Sequence, residues 1–542
     1  MSDICKRRIS GVLVSDIKLT LDEAEQNALD EAKLRLKRAG VNPAQLCFCI
    51  YKKSVDARKK NDIRLVYSVA AYAKEPFFAD LQRLAKCGIK EHSDEDIKIE
   101  TGDQRLSAPP MVVGMGPAGM LAALLLAEGG YEPIVIDRGD SVAERCRVNR
   151  RFIEEGALDT ESNIQFGAGG AGTFSDGKLM TRINDPKISY VLKRFFEFGA
   201  PEAILTSARP HIGTDNLVRM VDNLLAHVEK LGGKVIYRCR LDGIRENLSG
   251  TLTAYTTRGE IECSSIILAP GHSARDTYKM LMDSGYAVDA KAFSVGVRVE
   301  HKREDIDRAL YGDMAGHPAL GSAEYHLADT RSERGVYTFC MCPGGTVVAG
   351  ASEEGGVVVN GMSNYARDGE NSNSAVLVSV MREDYGATPM AAIEFQRRIE
   401  RAAYRAGGSD FYAPVQTLGD FMNEKSGTEP ARVRPSYRDG RVRCADMNDV
   451  LPGFVTEELK RGFASFDKKL SGFADPRAVI TAAETRTSAP VRILRTEDMT
   501  AIGHSLVYPC GEGAGYAGGI TSAAVDGVRA ALAFMKRFAP IR

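Results

Sequence analysis

The sequence predicts an α/β protein. We expect a Rossmann-like dinucleotide-binding domain with an inserted α+β substrate domain and an N-terminal domain of ferredoxin-like (βαββαβ) order. An apolar strand, a glycine turn and a helix follow each other from residue 111 and again from residue 506, which predicts the Rossmann-like part. Short strand-like and helix-like blocks alternate before residue 103 and predict the smaller domain. The expected segments are an N-terminal α+β domain at 1–103, a Rossmann-like domain at 104–290, a substrate domain at 291–496 and a return to the Rossmann-like domain at 497–542.

The composition excludes several classes of protein. The 542 residues carry 71 Lys and Arg against 72 Asp and Glu, so neither a basic nucleic-acid surface nor an acidic disordered chain is expected. The 11 cysteines lack metal-ligand spacing and predict reduced thiols and no metal site. The longest apolar run is far shorter than the roughly 20 residues of a membrane span, and the first residues lack a secretory core. We therefore expect a cytoplasmic protein without a membrane partner.

Before residue 103 the pattern predicts six elements. A helix begins after Thr20 as N-cap, with Glu23 at the capping-box position, and stops at Gly40. Strands are predicted at "RRISGVLVSDI", "QLCFCIYKKSV" and "IRLVYSVAAYA", a short helix near residues 77–87 and a last strand at "DIKIE" (96–100). A polar linker with a double proline, residues 101–110, then precedes the next domain.

Residues 114–119, the first glycine segment, follow the apolar run "MVV" and open a helix. Gly114 allows a tight turn, Gly116 lets a pyrophosphate approach the backbone, and Gly119 lets the helix pack on the strand. Asp137 ends the next predicted strand and matches the acidic residue that binds a ribose hydroxyl. The segment therefore predicts a dinucleotide site; a tight turn without ligand is the alternative.

Another glycine-rich turn lies at residues 511–520 and is called the third glycine segment, because it is the third in chain order. It decides between NAD and FAD. It follows the strand "LVYP" and precedes a helix from about Ile520. An NAD dehydrogenase needs one such turn, whereas a long FAD is held at its adenosine end by one loop and at its flavin end by another. The sequence therefore predicts FAD between the two segments, although a purely structural turn remains open.

Several sequence blocks resemble one family. "VVGMGPAGMLAALLLAEGGYEPIVIDRG", "GAGGAGTFSDGKL", "IILAPGH" and "YPCGEGAGYAGGITSAAVDG" resemble the bacterial FAD-dependent (FAD-utilising) dehydrogenase family of glutathione-reductase-type flavoproteins. The likeness runs over the whole chain, with "YKKSVDARKK", "FSVGVRVEH", "YTFCMCPGG" and "ETRTSAPVRI". Two positions depart from the wider pattern: Asp137 stands where Glu is commoner, and Glu512 stands where Asp is usual.

The resemblance implies contacts along the whole cofactor. The pyrophosphate would lie against Gly114, Gly116, Pro117, Ala118 and Gly119. The adenosine end would meet Asp137, Arg138, Arg240 and Leu241. The ribityl and flavin end would meet Gly271, Gly511, Glu512, Gly518, Gly519 and Ile520.

The second glycine segment in chain order is the glycine-rich stretch at residues 165–182. Its small residues allow the backbone to approach a flat ring and to offer many N–H donors. We expect the phosphate or flavin contact at Gly169, Gly170, Ala171, Gly172 and Thr173, with Lys178 as a positive charge near the flavin. A flexible lid is the alternative.

No catalytic residue can be assigned from the sequence. Cys340 and Cys342 suggest a redox pair, but positions i and i+2 of a regular strand lie about 6.5 Å apart, near the limit for a disulfide, so structural thiols are predicted. Cys510 is predicted as a packing residue. His272 and His301 are candidate acids or bases, with core histidines as the alternative.

The region just before the third glycine segment offers a substrate site. Arg486 and Arg492, with Glu484, would hold an anionic substrate carboxylate, and a structural Glu–Arg network is the alternative.

Two function classes follow. The first is an FAD-dependent oxidoreductase acting on a small molecule, with NADH or NADPH as a transient donor because no second dinucleotide motif is present. The second is a flavoprotein linked to RNA modification, whose N-terminal domain binds RNA through "YKKSVDARKK". Asp56, Asp62 and the acidic block at residues 91–100 nearly cancel those lysines, so nucleic acid is not the expected partner.

Overall fold

The computed structural model describes residues 6–93, 97–386 and 388–541. The chain divides into two compact units. Unit 1 is Met1–Ile97, Pro201–Pro210 and Asp307–Ala323, and unit 2 is Lys98–Ala200, His211–Ile306 and Glu324–Arg542.

Unit 1 is built on a four-stranded antiparallel sheet in the order β2-β3-β1-β4. Its elements are β1 (Lys6–Leu19), α1 (Gln26–Arg38), β2 (Leu46–Asp56), β3 (Arg64–Asp80), α2 (Leu81–Lys86) and β4 (Ile89–Glu91). The buried side chains of α1, Ala28, Ala32 and Leu36, recur every four residues and form one apolar stripe. The elements follow each other as βαββαβ, the order that the sequence predicts.

Three predicted boundaries in unit 1 are wrong. Helix α1 begins at Gln26 rather than after Thr20, because the Glu23 carboxylate accepts the Thr20 N–H at 2.7 Å within a separate turn. The helix predicted near residues 77–87 is shorter, since β3 continues to Asp80. The predicted strand at 96–100 begins outside the described residues, and its described part, 97–100, is irregular with Ile99 49% exposed. The last strand is β4 instead.

The basic loop of unit 1 carries paired charges. The Arg58 guanidinium contacts the Asp56 carboxylate with its Nε at 2.7 Å, and Arg64 Nε lies 2.6 Å from Asp62. Asp56 and Asp62 are the two aspartates predicted from the sequence to offset the positive charge of this loop.

The elements that follow β4 along the chain include eleven further helices and nineteen further strands in the described residues. Up to α7 they are β5 (Met111–Val113), α3 (Pro117–Glu128), β6 (Ile134–Ile136), α4 (Val142–Glu155), α5 (Lys187–Glu197), α6 (Thr214–Lys230), β7 (Lys234–Ile236), β8 (Leu241–Glu246), β9 (Leu252–Thr256), β10 (Gly259–Cys263), β11 (Ile266–Leu268) and α7 (Arg275–Asp283). Next come β12 (Val288–Ala290), β13 (Phe293–Lys302), α8 (Arg303–Tyr311), β14 (Ala328–Asp329), β15 (Val336–Cys342), β16 (Thr346–Ala349), β17 (Val359–Met362), β18 (Asn371–Val380), α9 (Arg382–Tyr385) and α10 (Pro389–Ala406). The last are β19 (Ala413–Thr417), α11 (Leu418–Met422), β20 (Val442–Cys444), α12 (Gly453–Lys469), β21 (Val479–Glu484), β22 (Val491–Ile493), β23 (Val507–Pro509) and α13 (Ile520–Met535).

A five-stranded parallel sheet in the order β23-β11-β5-β6-β7 is the centre of unit 2. Its strands are short and almost wholly apolar, as expected where helices cover both faces of a parallel sheet. A three-stranded antiparallel sheet, β10-β9-β8, lies between β7 and β11 along the chain. This arrangement brings the ends of β5, β6, β11 and β23 to one edge, where open parallel sheets bind ligands.

A seven-stranded sheet in the order β14-β15-β18-β13-β21-β19-β20 forms the other large layer of unit 2. The long strands β13 and β18 pair antiparallel over ten residues and are almost entirely buried. β12, which precedes β13 in the chain, pairs antiparallel with β22, which follows β21. The chain segments that enter and leave the seven-stranded sheet therefore lie side by side.

The end of the chain returns to the parallel sheet. β23 pairs with β11, and α13 packs on α3 so closely that a Cβ at Gly527 would lie 2.0 Å from the Ala118 carbonyl oxygen. No helix among the described residues has both the length and the apolar character that a bilayer span requires.

Candidate functional site

The first glycine segment connects β5 to α3. A Cβ at Gly114 would lie 2.1 Å from the Ala269 carbonyl oxygen, and a Cβ at Gly119 would lie 1.8 Å from that of Gly114. At Gly116 the nearest atom would be 4.0 Å away. The first and third glycines therefore serve the fold, whereas Gly116 leaves its face open.

The N-terminus of α3 is available to a ligand. Gly116 is its N-cap, Pro117 is its first residue, and no side chain of the described chain caps it. Uncapped N–H groups at a helix start favour an anion such as a pyrophosphate.

Asp137 lies at the end of β6 with 7% of its surface exposed. Its Oδ2 accepts the Met115 N–H at 2.8 Å, and its Oδ1 accepts the Gly139 N–H at 2.9 Å. The carboxylate thus fixes the first glycine segment against β6. Each oxygen can accept a second hydrogen bond, so the ribose contact stays a prediction.

The second glycine segment packs directly on the first. The Gly169 N–H donates to the Met115 carbonyl at 2.8 Å, and a Cβ at Gly170 would lie 2.9 Å from the Gly116 Cα. Gly169 and Gly170 have φ of +83° and +62°, so side chains are disfavoured there. Residues Gly170–Phe174, which include Ala171 and Thr173, form a short 3-10 helix.

Arg145 holds this segment in place. Its guanidinium is fully buried and donates to the carbonyls of Asn163 at 2.9 Å, Gly170 at 3.0 Å and Ala168. Arg145 was not predicted from the sequence. The one indication is that it lies on the buried face of the amphipathic helix α4. These hydrogen bonds tie the loop to α4.

The third glycine segment joins the other two. A Cβ at Gly172 would lie 3.2 Å from Ile520, and a Cβ at Gly511 would lie 2.7 Å from the Ala118 Cβ. Gly271 abuts Gly513, whose Cβ would lie 2.5 Å from the Gly271 nitrogen. Three glycine segments that are distant in sequence therefore meet, the first and second backbone to backbone and the third through Ala118 and Ile520.

The start of α13 faces open space. Gly519 is its N-cap and receives no side-chain cap from the described residues. A Cβ at Gly271, Gly518 or Gly519 would meet no described atom within 4 Å. Two uncapped helix starts, those of α3 and α13, thus belong to adjoining glycine segments.

The predicted adenosine residues line cavities in unit 2. Arg240 and Leu241 line a cavity of about 230 Å³. Arg138 lines one of about 500 Å³, where its guanidinium stacks on Phe166 at 4.3 Å and pairs with Glu161 at 2.9 Å. Arg240 also pairs with Glu161, at 2.7 Å. Both predicted arginines thus share the Glu161 carboxylate.

Glu512 is an ionisable group without a hydrogen-bond partner in the described chain. Burial raises the pKa of its carboxyl to about 7, and the nearby Lys291 opposes that rise. Burial lowers the pKa of Lys291, which has no ion-pair partner within 4 Å among the described residues. Ionisable groups whose pKa is shifted by burial are typical of functional sites. The sequence analysis missed Lys291, which precedes β13 without any motif.

Lys178 lies in a buried ion network. Its Nζ pairs with Asp176 and, at 3.2 Å, with Glu324, while Arg367 pairs with Asp176 at 2.5 Å and with Glu324 at 2.6 Å. Although burial opposes it, the attraction of Asp176 and Glu324 raises the pKa of Lys178. The predicted positive charge is present, and it is balanced by two carboxylates.

The two histidines differ. Burial, together with Arg486 and Arg275, lowers the pKa of His272 to about 3, and its Nδ1 lies 2.9 Å from Ser273 Oγ. His301 is a core residue whose Nε2 lies 2.7 Å from the Phe473 carbonyl oxygen. His272 therefore stays neutral after the end of β11.

The predicted carboxylate clamp does not form. Arg486 is buried and pairs with Glu400 at 3.0 Å, whereas Arg492 is exposed and donates to the Gly515 carbonyl at 3.3 Å. Glu484 pairs with Arg298 at 2.9 Å instead. Arg486 thus belongs to a structural network, the alternative in the sequence analysis.

The expectation of a regular strand at Cys340 is wrong. Phe339 pairs with Ala375 and Cys342 with Asn373, so β15 carries one extra residue there. Cys340 has φ of +45° and is half-buried, while Cys342 is buried. Cys510 is fully buried, and burial raises its pKa.

Comparison with known proteins identifies the cofactor. Residues 292–487 match the model of the family described as "FAD-dependent protein, C-terminal domain-like", and residues 13–72 match a domain of unknown function (DUF8436). The chain is an FAD-dependent flavoprotein, and the two uncapped helix starts fit that cofactor.

A relative covers nearly the whole chain. An uncharacterised protein of Clostridium beijerinckii (strain ATCC 51743 / NCIMB 8052) is 44% identical in an alignment 539 positions long, which covers 97% of this chain and 99% of that protein.

The solved structures with detectable similarity are distant. CtdE in complex with FAD is 11% identical, covers 80% of this chain and 84% of its own, and has a TM-score of 0.33. NikD, an unusual amino acid oxidase essential for nikkomycin biosynthesis, is 11% identical, covers 79% and 94%, and has a TM-score of 0.32. At such TM-scores these likenesses carry no argument.

Proposed function

We propose that this chain, which belongs to the same family as the Clostridium beijerinckii protein, is an oxidoreductase that transfers a hydride between FAD and a small organic substrate, as a dehydrogenase does. One observation supports the proposal most. The first, second and third glycine segments meet at the edge of the parallel sheet, and two helices start there without side-chain caps from the described chain.

The residues fit an extended FAD. The start of α3 would hold the pyrophosphate beside Gly116, and Asp137, Arg138 and Arg240 would hold the adenosine end. Gly518 and Gly519 leave room for the flavin end at the start of α13. This placement is that of glutathione-reductase-type flavoproteins, which we propose as the wider group.

FAD supplies reversible two-electron chemistry, and the protein positions and tunes it. Glu512 can hold or release a proton near neutral pH, because burial raises its pKa to about 7. The neutral His272 adds no charge to this edge. We therefore propose Glu512 as the residue that exchanges a proton at the flavin end.

Lys291 is our candidate for meeting an anionic substrate. It is half-buried, lies near Glu512, and has no ion-pair partner within 4 Å in the described residues. A lysine without such a partner retains charge for a ligand, unlike Arg486, which Glu400 already occupies. We propose that residues 291–496 form the substrate domain that carries Lys291.

Unit 1 we interpret as a ferredoxin-like domain. Its βαββαβ order and its antiparallel sheet order, β2-β3-β1-β4, support this assignment.

Anaerobic reduction of the flavin tests the proposed function. The FAD-loaded protein is mixed with NADH, NADPH and a panel of small organic donors while the flavin absorbance is followed. We expect bleaching with at least one donor, and weaker saturation by an anionic donor in Lys291→Met. The proposal is overturned if the bound flavin stays oxidised with every donor and, once photoreduced, passes electrons to no organic acceptor.

A further inference from the structure

The bulge in β15 puts a cysteine into a conformation that side chains avoid. Cys340 and Met341 together oppose a single residue of β18, Ser374, and Cys340 has φ of +45°. Left-handed backbone is unfavourable for a residue with a Cβ. Such strain concentrates at functional sites, and glycine would relieve it.

The bulge also brings two thiols together. The Cys342 thiol donates to the Cys340 carbonyl oxygen, which lies 3.3 Å from its Sγ. Arg298 Nη1 lies 3.2 Å from that oxygen and 4.0 Å from the Cys342 sulfur. Cys340 as a residue is half-buried, and Cys342 is 0% exposed.

The charges around the pair favour one thiolate and one thiol. The Cys342 side chain, with Arg298 and Lys178, lowers the pKa of the Cys340 thiol, although burial opposes this. The Cys340 side chain and burial raise the pKa of Cys342. The thiolate is the reactive form of cysteine, so Cys340 is the nucleophile of the pair.

The pair lies beside the proposed flavin end. Cys340 interacts electrostatically with Glu512 of the third glycine segment and with Lys178 of the second. Lys178 also interacts with Cys342. Glu512 and Lys178 both belong to segments that would surround the flavin.

We propose that Cys340 and Cys342 are a redox-active thiol pair that exchanges two electrons with the bound flavin, an inference that rests on the proposed function. Starting from the Cys340 thiolate and the Cys342 thiol, formation of the Sγ–Sγ bond releases two electrons and one proton. An oxidised flavin accepts both electrons and that proton, which Glu512 passes on. The reverse step cleaves the disulfide and restores the thiolate and the thiol.

Reductive titration of the FAD-loaded protein tests this pair. The protein is oxidised with diamide, freed of reagent and titrated anaerobically with dithionite. Wild type is expected to take up two electron pairs per FAD, and Cys342→Ser and Cys340→Ser one each. The double variant Cys47→Ser/Cys49→Ser is the matched control, because those cysteines are also two residues apart but on a regular stretch of β2, and it should still take up two.

Mass spectrometry of the same oxidised sample locates the bond. The peptide with Cys340 and Cys342 should be lighter by two hydrogen atoms and resist alkylation until it is reduced. Uptake of a single electron pair by wild type, with both thiols open to alkylation, overturns the inference. The proposed function would survive that result, since bound FAD is measured by absorbance before titration. The wild-type result decides the question even if a serine variant fails to fold.

Discussion

Gly116 offers a direct test of the cofactor site. The fold itself leaves room for a side chain at this position, so the glycine is explained by ligand binding and not by packing. An alanine there would meet no described atom closer than 4.0 Å, and its φ of −73° suits any residue. At Gly114, by contrast, a methyl group would lie 2.1 Å from the Ala269 carbonyl oxygen at φ of +96°. Gly116→Ala should therefore fold, and Gly114→Ala should not fold normally.

The expected magnitudes have opposite signs. Replacing glycine where the backbone permits it stabilises a chain by about 0.4–1 kcal/mol, because the unfolded state loses freedom. A methyl group between Gly116 and a pyrophosphate would cost at least one or two hydrogen bonds to a charged group, each worth about 1.5–3 kcal/mol. A loss of about 3 kcal/mol weakens FAD binding by about 100-fold.

Two measurements separate these effects. Urea denaturation of the FAD-free protein gives the free energy of unfolding, and quenching of flavin fluorescence gives the FAD dissociation constant. Gly453→Ala is the matched control, because Gly453 opens α12 and no atom lies within 4 Å of its Cβ position. Unchanged FAD affinity in a folded Gly116→Ala protein would refute the pyrophosphate position.

Three further predictions concern buried charges and the bulge. In the FAD-free protein, Glu512 has a folded pKa of about 7 above its ordinary 4.5, so its contribution to stability is present below pH 4.5 and is lost as pH rises through 7. At about 1.4 kcal/mol per pH unit, Glu512→Gln should stabilise at pH 8 by up to about 3 kcal/mol and change little at pH 4, as urea denaturation at both pH values would show. Arg298→Met should destabilise by about 3–5 kcal/mol, because Glu484 is left buried and unpaired, and Arg298→Met/Glu484→Gln should recover most of that loss in the same assay. Cys340→Gly should unfold at a higher temperature than Cys340→Ala by the equivalent of about 1 kcal/mol, and equal melting temperatures would argue against strain at φ of +45°.

Local patterns in the sequence were informative where one element decides the structure. The start of α13 at Ile520 agrees with the predicted residue, because a glycine turn and an apolar helix pattern meet there. Gly114 and Gly119 are confined by neighbouring backbone as the three-glycine spacing predicts. The strand at 96–100 failed because an alternation of a few residues next to many charges carries little burial.

Contacts that depend on tertiary packing were out of reach. Arg298 of β13 and Glu484 of β21 form an ion pair, and no pattern in either segment indicates its partner. The bulge at Cys340 arises from its pairing with β18, which a single-strand argument treats as regular. Lys291 gains its importance only because β13 begins beside the third glycine segment in space.

The central claim is that glycine turns from both ends of unit 2 hold one cofactor. A calorimetric titration of FAD-free protein with FAD tests it most directly. We predict one FAD per chain, and a lower affinity after either Gly116→Ala or Gly519→Ala while both variants stay folded. Absence of heat and of colour after incubation with FAD would contradict the account, as would binding that responds to only one of the two turns.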